Sequence, residues 1–247
     1  HATNARRPSL IDKRMTSVTE AVADIKDGSS VLVSGFGGAG SPIDVLHALL
    51  DQGAKDLTLI SNNAGNGMIG MAALIAAGRV RKMICSFPRS SRSEVFTEAY
   101  RAGKIELEVV PQGTLAERIR CGGAGIPAFY TPTSAGTPLE EGKEVRELDG
   151  RRCVLEPAIK ADVALVKAKA ADRWGNLIYH KSARNFGPIM CTSAAKSIVQ
   201  VRQFVELGDL DPEVIVTPGI YVDRAVLVEN PLEEETLLLA GEQRRPQ

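Results

Sequence analysis

The sequence predicts an α/β fold, a mostly parallel central sheet with helices on both faces. Apolar runs without polar alternation, such as Val31-Leu32-Val33, suit strands buried on both faces of a parallel sheet. These runs alternate with stretches whose apolar residues recur at helical spacing, and βαβ alternation joined by short connections implies parallel strands with covering helices. The connections themselves are rich in glycine, serine and asparagine. In such sheets, ligands bind beyond the carboxyl ends of the strands.

Taken in order, residues 1–14 read as a loose N-terminal arm, residues 15–229 as a single α/β domain and residues 230–247 as a tail. Ser17 and Glu20 have capping-box form, and Val18, Ala21, Val22 and Ile25 follow on one helical face until Asp27-Gly28 stops it. The strand over residues 31–33 runs into Gly35-Phe36-Gly37-Gly38-Ala39-Gly40-Ser41-Pro42. Four glycines in six residues let this backbone take positive φ and approach a ligand closely. Ser41 as cap and Pro42 as first helical residue would aim free N–H groups at the loop mouth, as an anion requires. The next helix turns Val45, Leu46, Leu49 and Leu50 inward and closes at Gly53, with His47 read as a surface or satisfied histidine.

Strands are then predicted over residues 57–60, 80–87 and 105–110, and helices over 68–77 and 94–102. The predicted ligand rim therefore gathers the loops 35–41, 62–67, 88–93 and 111–114. Residues 121–142, with their glycines and prolines, break the rhythm and read as a functional loop or lid. Leu148-Asp149-Gly150-Arg151 has hairpin-turn form, residues 164–166, 199–205 and 225–228 are strand-like, and 172–176 form a turn. The tail is acidic, then leucine-rich, and reads as a short helix or as disordered.

Composition narrows the function. Lys plus Arg equals Asp plus Glu at 30 each, so the basic excess of nucleic-acid or anionic-membrane binding is missing. The four cysteines, Cys85, Cys121, Cys153 and Cys191, are dispersed and suit reduced thiols rather than zinc or disulfides. With His1, His47 and His180 alone as imidazoles, no metal site or histidine triad is expected. No stretch has the roughly 20 apolar residues of a membrane span. The expectation is a cytoplasmic chain whose partners are small molecules and proteins.

The glycine stretch literally satisfies G-x-G-x-x-G, the dinucleotide fingerprint, which also wants an acid roughly 20 residues on. Residues 57–60 end instead in Ser61-Asn62-Asn63, and Asp56 precedes that strand at the opposite edge. A tight turn without a ligand is the plainer alternative. Gln112 stands at the end of another strand on the same rim, and its amide donates two hydrogen bonds; a bond to nearby backbone would also explain it. Asn62 and Asn63 can hold a substrate or simply favour turn conformations. Arg89 can pair with a carboxylate or stay solvated.

Asp27-Gly28, two residues, three apolar residues, Gly35-Phe36, three residues, Gly40, one residue and Pro42 resemble the signature of the family I CoA-transferases. Ser34 stands where that pattern carries another glycine. Ser61-Asn62-Asn63-Ala64-Gly65, the block from Val110 to Arg120 and Lys181-Ser182-Ala183-Arg184-Asn185-Phe186 are also similar to the A half of these enzymes, in the same order. The resemblance implies that Ser34, Gly35, Phe36, Gly37, Gly38, Ala39 and Gly40 meet CoA and that Gln112 is an oxyanion donor. Asn62, Asn63 and Arg89 are, from residue type and place on the rim, the candidate substrate contacts. CoA and succinyl-CoA are implied as substrates, with no tightly bound cofactor. The family's nucleophile is a glutamate in a Ser-Glu-Asn-Gly block, which this chain lacks. A B subunit carrying that glutamate, in an α2β2 assembly, is therefore implied. The implied acceptor is a 3-oxo acid, 3-oxoadipate in preference to acetoacetate. A dinucleotide-dependent oxidoreductase and a non-catalytic binding subunit remain the rivals from other classes.

Overall fold

The computed structural model describes residues 11–247. In chain order its elements begin with β1 (Arg14–Met15), α1 (Val18–Val22), β2 (Ser30–Val33), α2 (Ile43–Gln52), β3 (Leu57–Asn63), α3 (Gly70–Ala76), β4 (Val80–Phe87), α4 (Glu94–Arg101) and β5 (Glu106–Val109). They continue with α5 (Gln112–Ala124), β6 (Ala128–Thr131), β7 (Val145–Leu148), β8 (Arg151–Pro157), β9 (Ala161–Ala171), β10 (Leu177–Ile178), α6 (Gly187–Ser193), β11 (Ala194–Phe204), β12 (Arg224–Leu227) and α7 (Glu234–Leu239).

The main sheet runs β1-β12-β11-β9-β2-β3-β4-β5, with β10 pairing antiparallel to β9 and every other pair parallel. Successive side chains in a strand point to opposite faces, and the core divides accordingly. Val31, Val33, Leu59 and Met83 pack with residues of α1, α2, α3 and α4. Leu32, Ile60 and Ile84 pack with Leu115 and Ile119 of α5 and Met190 and Cys191 of α6. Full burial of a Leu or Ile contributes about 1.5–3 kcal/mol, so a strand apolar on both faces has one stable place, between two helical layers.

Several elements differ from the sequence reading. Residues 112–124 form a helix, and residues 128–131 join β7 and β8 in a small antiparallel sheet, so the expected lid is replaced by ordered structure. The arm expected over residues 1–14 lies outside the described residues as far as residue 10. From Lys13 onward the chain is docked: Ala225 N donates to Lys13 O at 2.8 Å, and β1 pairs with β12. Of the two readings of the tail, the short helix is the one found, as α7, and Arg244 N donates to Met68 O at 2.8 Å. The 148–151 hairpin is present, and Glu20 N donates to Ser17 Oγ at 3.1 Å, one half of the capping box, while the Glu20 carboxylate accepts from Thr16 N at 3.1 Å instead of from Ser17 N.

Candidate functional site

The glycine loop follows β2 at the carboxyl rim of the sheet. Phe36 N donates to Ala39 O at 3.0 Å and Ala39 N returns to Phe36 O at 3.2 Å, which closes a tight hairpin with Gly37 and Gly38 at its tip. The N–H groups of Gly37 and Gly38 at the tip, like that of Gly40, make no hydrogen bond among the described residues. Gly35 at φ +133° and Gly40 at φ +82° require glycine. A Cβ on Gly40 would also stand 2.5 Å from Ala183 O.

The loop is fastened on both flanks. Asn185 accepts from Gly35 N at 3.2 Å through Oδ1 and donates through Nδ2 to Ala39 O at 2.9 Å. The Lys181–Phe186 block thus props the loop. Ser34 is 1% exposed, and its hydroxyl donates to Gly40 O at 2.7 Å while accepting from Lys167 N at 3.2 Å. Its side chain closes the loop from beneath and does not reach the ligand face, which corrects its place among the contact residues.

The anion seat expected at the start of α2 is also corrected. The helix begins at Ile43, after Pro42 with no side-chain cap, and Ser41, Ile43 and Val45 are buried. Val45 N donates inward to Gln200 Oε1 at 3.3 Å.

Beside that tip lies a cavity of about 310 Å³ lined by Phe36, Gly37, Asn62, Asn63, Asn66 and Gln112, with further walls from Gly65, Phe87, Pro88, Ser90 and Ser93. Gln112 opens α5, is exposed at the cavity, and donates from Nε2 to Oδ1 of Asn62 at 2.6 Å. Asn62 is 5% exposed, so this bond fixes the amide plane of Gln112 and leaves its second N–H for the cavity. Asn63 Oδ1 accepts from Gly65 N at 2.9 Å, a turn-forming role that leaves its amide nitrogen to the cavity wall. Arg89 is exposed and does not line the cavity, so the structure does not bring it to Gln112.

Sequence reasoning missed the tail. Glu234 is 7% exposed; its carboxylate accepts from Asn66 Nδ2 at 3.3 Å and lies against Gly38. Burial pushes its carboxyl above the usual range. Asn66 in turn accepts from Ser90 Oγ at 2.5 Å, so one buried glutamate braces both the loop tip and the cavity wall.

No group of three or more potential metal-ligating His, Cys, Asp or Glu occurs among the described residues. His47 is buried, accepts from Gly70 N at 3.0 Å, and is pushed down to about 4 mainly by burial, so it serves the core rather than the cavity. Burial also pushes Cys85 and Cys191 up to about 12, which leaves both as unreactive thiols. No helix of the described residues is long and apolar enough to cross a membrane.

A cavity of amides with an oriented glutamine and free loop N–H groups is chemically suited to a carbonyl that gains negative charge. Comparison with known proteins bears on which carbonyl. Residues 15–228 match the family model described as Coenzyme A transferase. The chain is 62% identical over 219 residues to the A subunit of 3-oxoadipate CoA-transferase from Pseudomonas putida, covering 89% of this chain and 95% of that one. It is 48% identical over 229 residues to the A subunit of succinyl-CoA:3-ketoacid coenzyme A transferase from Xanthomonas campestris, covering 91% and 94%. Among solved structures, the acyl-CoA transferase YdiF apoenzyme of Escherichia coli shares the fold with TM-score 0.82 at 22% identity, over 92% of this chain and 49% of that one.

Proposed function

The chain belongs to the coenzyme A transferase family, and from that premise we infer that it is the A subunit of an enzyme moving CoA from succinyl-CoA to a 3-oxo acid, with 3-oxoadipate as acceptor. The 62% identity to the A subunit of a 3-oxoadipate CoA-transferase, over 95% of that chain's length, carries this reading. Acetoacetate is the second acceptor to test, since the 48% identical relative acts as a 3-ketoacid transferase by name.

The relatives named as A subunits, with the absence of a Ser-Glu-Asn-Gly block from these 247 residues, support a nucleophile on a B subunit. The partner's glutamate attacks the thioester carbonyl, and the oxygen there becomes an oxyanion. The free N–H of Gln112 and the tip N–H groups of Gly37 and Gly38 are the donors this chain offers to it. Collapse expels CoA thiolate and leaves an acyl anhydride; the thiolate then attacks the glutamyl carbonyl, giving the enzyme thioester and free succinate. The acceptor carboxylate reverses the same steps. Gly35, Phe36, Gly37, Gly38, Ala39 and Gly40 line the path of CoA, with Asn62 acting through Gln112 and Asn63 at the acyl pocket. An α2β2 assembly in the cytoplasm is the arrangement proposed.

Rates of CoA transfer from succinyl-CoA to 3-oxoadipate and to acetoacetate, measured on the assembled pair, test the acceptor. A higher kcat/KM for 3-oxoadipate is expected. A higher value for acetoacetate replaces it with the second acceptor.

A further inference from the structure

Helix α5 brings Gln112 to the cavity, yet nothing local holds the end of the helix that carries it. Gln112 is its first residue, Pro111 before it makes no side-chain cap, and the first turn holds no acidic residue. Caps and first-turn acids are what ordinarily fix a helix start. The Gln112 side chain is exposed, and its one hydrogen bond among the described residues is to Asn62. The place of that amide therefore depends on how the helix as a whole is seated. Leu115 and Ile119 press α5 onto the sheet, but apolar contact is non-directional. The directional bonds come from Arg118.

Arg118 is 7% exposed, a burial that arginine takes up only when paired. Its Nε donates to Pro157 O at 2.7 Å and its Nη1 to Glu108 Oε1 at 2.8 Å. Its backbone oxygen also accepts from Ile159 N at 2.8 Å. Glu108 belongs to β5 and precedes Gln112, while Arg118 follows it in α5, so their bond closes across the strand-to-helix turn on which Gln112 sits. Lys82 of β4 holds Glu108 from the far side, with Nζ at 2.7 Å from Oε2. Burial pushes the Glu108 carboxyl up, but Lys82 and Arg118 together hold it below its usual range, so it stays charged at neutral pH. Toward the small sheet, Glu156 of β8 is fully buried and accepts from Lys143 Nζ at 2.6 Å through Oε1. Its Oε2 has no hydrogen bond and lies 3.9 Å from Arg118 Nη1. Lys82, Glu108, Arg118, Glu156 and Lys143 thus alternate in charge from the main sheet through α5 to the small sheet, with Arg118 at the centre.

We propose that Arg118 is a positioning residue for the transfer reaction: by clamping α5 to β5 and β8, it sets the place of the Gln112 amide. This role rests on the reading of Gln112 as an oxyanion donor. Such a donor must stand about 2.7–3.1 Å from the oxygen it stabilises, and a misplacement of about 1 Å costs on the order of 100-fold in rate. The planar guanidinium bonds in two fixed directions, to Glu108 before the turn and to Pro157 at the end of β8, and so resists both rotation and sliding of the helix. Arginine rather than a smaller cation is required, because one compact ammonium does not reproduce that fork.

The test uses the assembled two-subunit enzyme and two variants. Arg118→Lys keeps the charge and loses the fork; Glu108→Gln, at a half-buried position, keeps the side-chain shape and serves if the first folds poorly. In crystal structures of the variants, the Gln112 amide should leave Asn62 or take a second position. The kcat should fall on the order of 10–100-fold with the KM for succinyl-CoA nearly held. In a Gln112→Ala background the same substitutions should cost nothing further, because the group they misplace is already gone. Where Gln112→Ala itself lowers kcat, an equal loss in both backgrounds, as a merely structural role would give, or no loss at all, overturns the proposal. A Gln112 that stays on Asn62 in both variants overturns it too. Should Gln112→Ala leave kcat unchanged, the oxyanion reading fails and the crystal structures decide alone: a displaced amide upholds Arg118 as the residue that sets it, and an undisplaced one rejects it.

Discussion

Gln112 reaches the cavity with one amide N–H already engaged by Asn62, and that bond is what orients the other. An oriented donor is worth more than a mobile one because the reorganisation is complete before charge develops. Gln112→Ala should therefore lower kcat of the assembled enzyme by about 10²–10³ with a smaller change in KM. Unchanged kcat would remove Gln112 from the oxyanion site. The type and position of this residue were legible in the sequence, as a glutamine just past a strand on the ligand rim. Its bond to Asn62 was not, because it joins residues 50 apart in the chain. Arg89 shows the converse: its residue type fits carboxylate recognition, but sequence spacing does not fix the exposed position it takes.

Among the elements, the sheet was legible because period and burial agree. Strands buried on both faces leave apolar runs that no exposed element would carry. Helix α5 was hidden because Gly122-Gly123 reads as a break. These glycines serve close packing instead: a Cβ on Gly122 would stand 1.9 Å from Ile159 O, and one on Gly123 would stand 2.1 Å from Thr192 Oγ1. Tertiary contact thus overrides helix propensity, which disfavours glycine by about 1 kcal/mol. The glycine loop is constrained in the same way. Gly40→Ala forces a side chain into φ +82° and against Ala183 O, at a cost of about 1–3 kcal/mol from the backbone alone. A lowered Tm and a raised KM for succinyl-CoA are expected, and an unaltered Tm would rule out this constraint on the loop. Helix α2 carries a pH dependence through His47. Its pKa is lowered from 6.5 to about 4, by burial first and by Arg244 next. Below pH 6.5 the unfolded chain takes a proton that the folded chain refuses, so stability falls as pH drops from 6.5 toward about 4. The loss amounts to about 2–3 kcal/mol. Chemical denaturation across that range should show it, and His47→Gln should flatten that part of the profile.

Across the whole molecule, the tail is where sequence reading fell furthest short. Glu233, Glu234 and Glu235 look like a solvated acidic run, yet their partners are Lys167, Asn66 and Arg92. Such pairing between distant segments has no local signature. Through it the last element of the chain braces the first functional loop, and the carboxyl rim becomes one continuous surface with donors, cations and a cavity on each flank of the loop. What that surface lacks, by sequence, is the Ser-Glu-Asn-Gly nucleophile block. The proposed enzyme divides the labour, with loop and oxyanion donors here and the nucleophile on a B subunit. Intact-mass analysis of the separated subunits, after the assembled enzyme has been incubated with succinyl-CoA and quenched, decides whether that division holds. A CoA thioester adduct is expected on the partner and none on this chain. An adduct on this chain, or an active complex that carries no adduct on either chain, would refute the division.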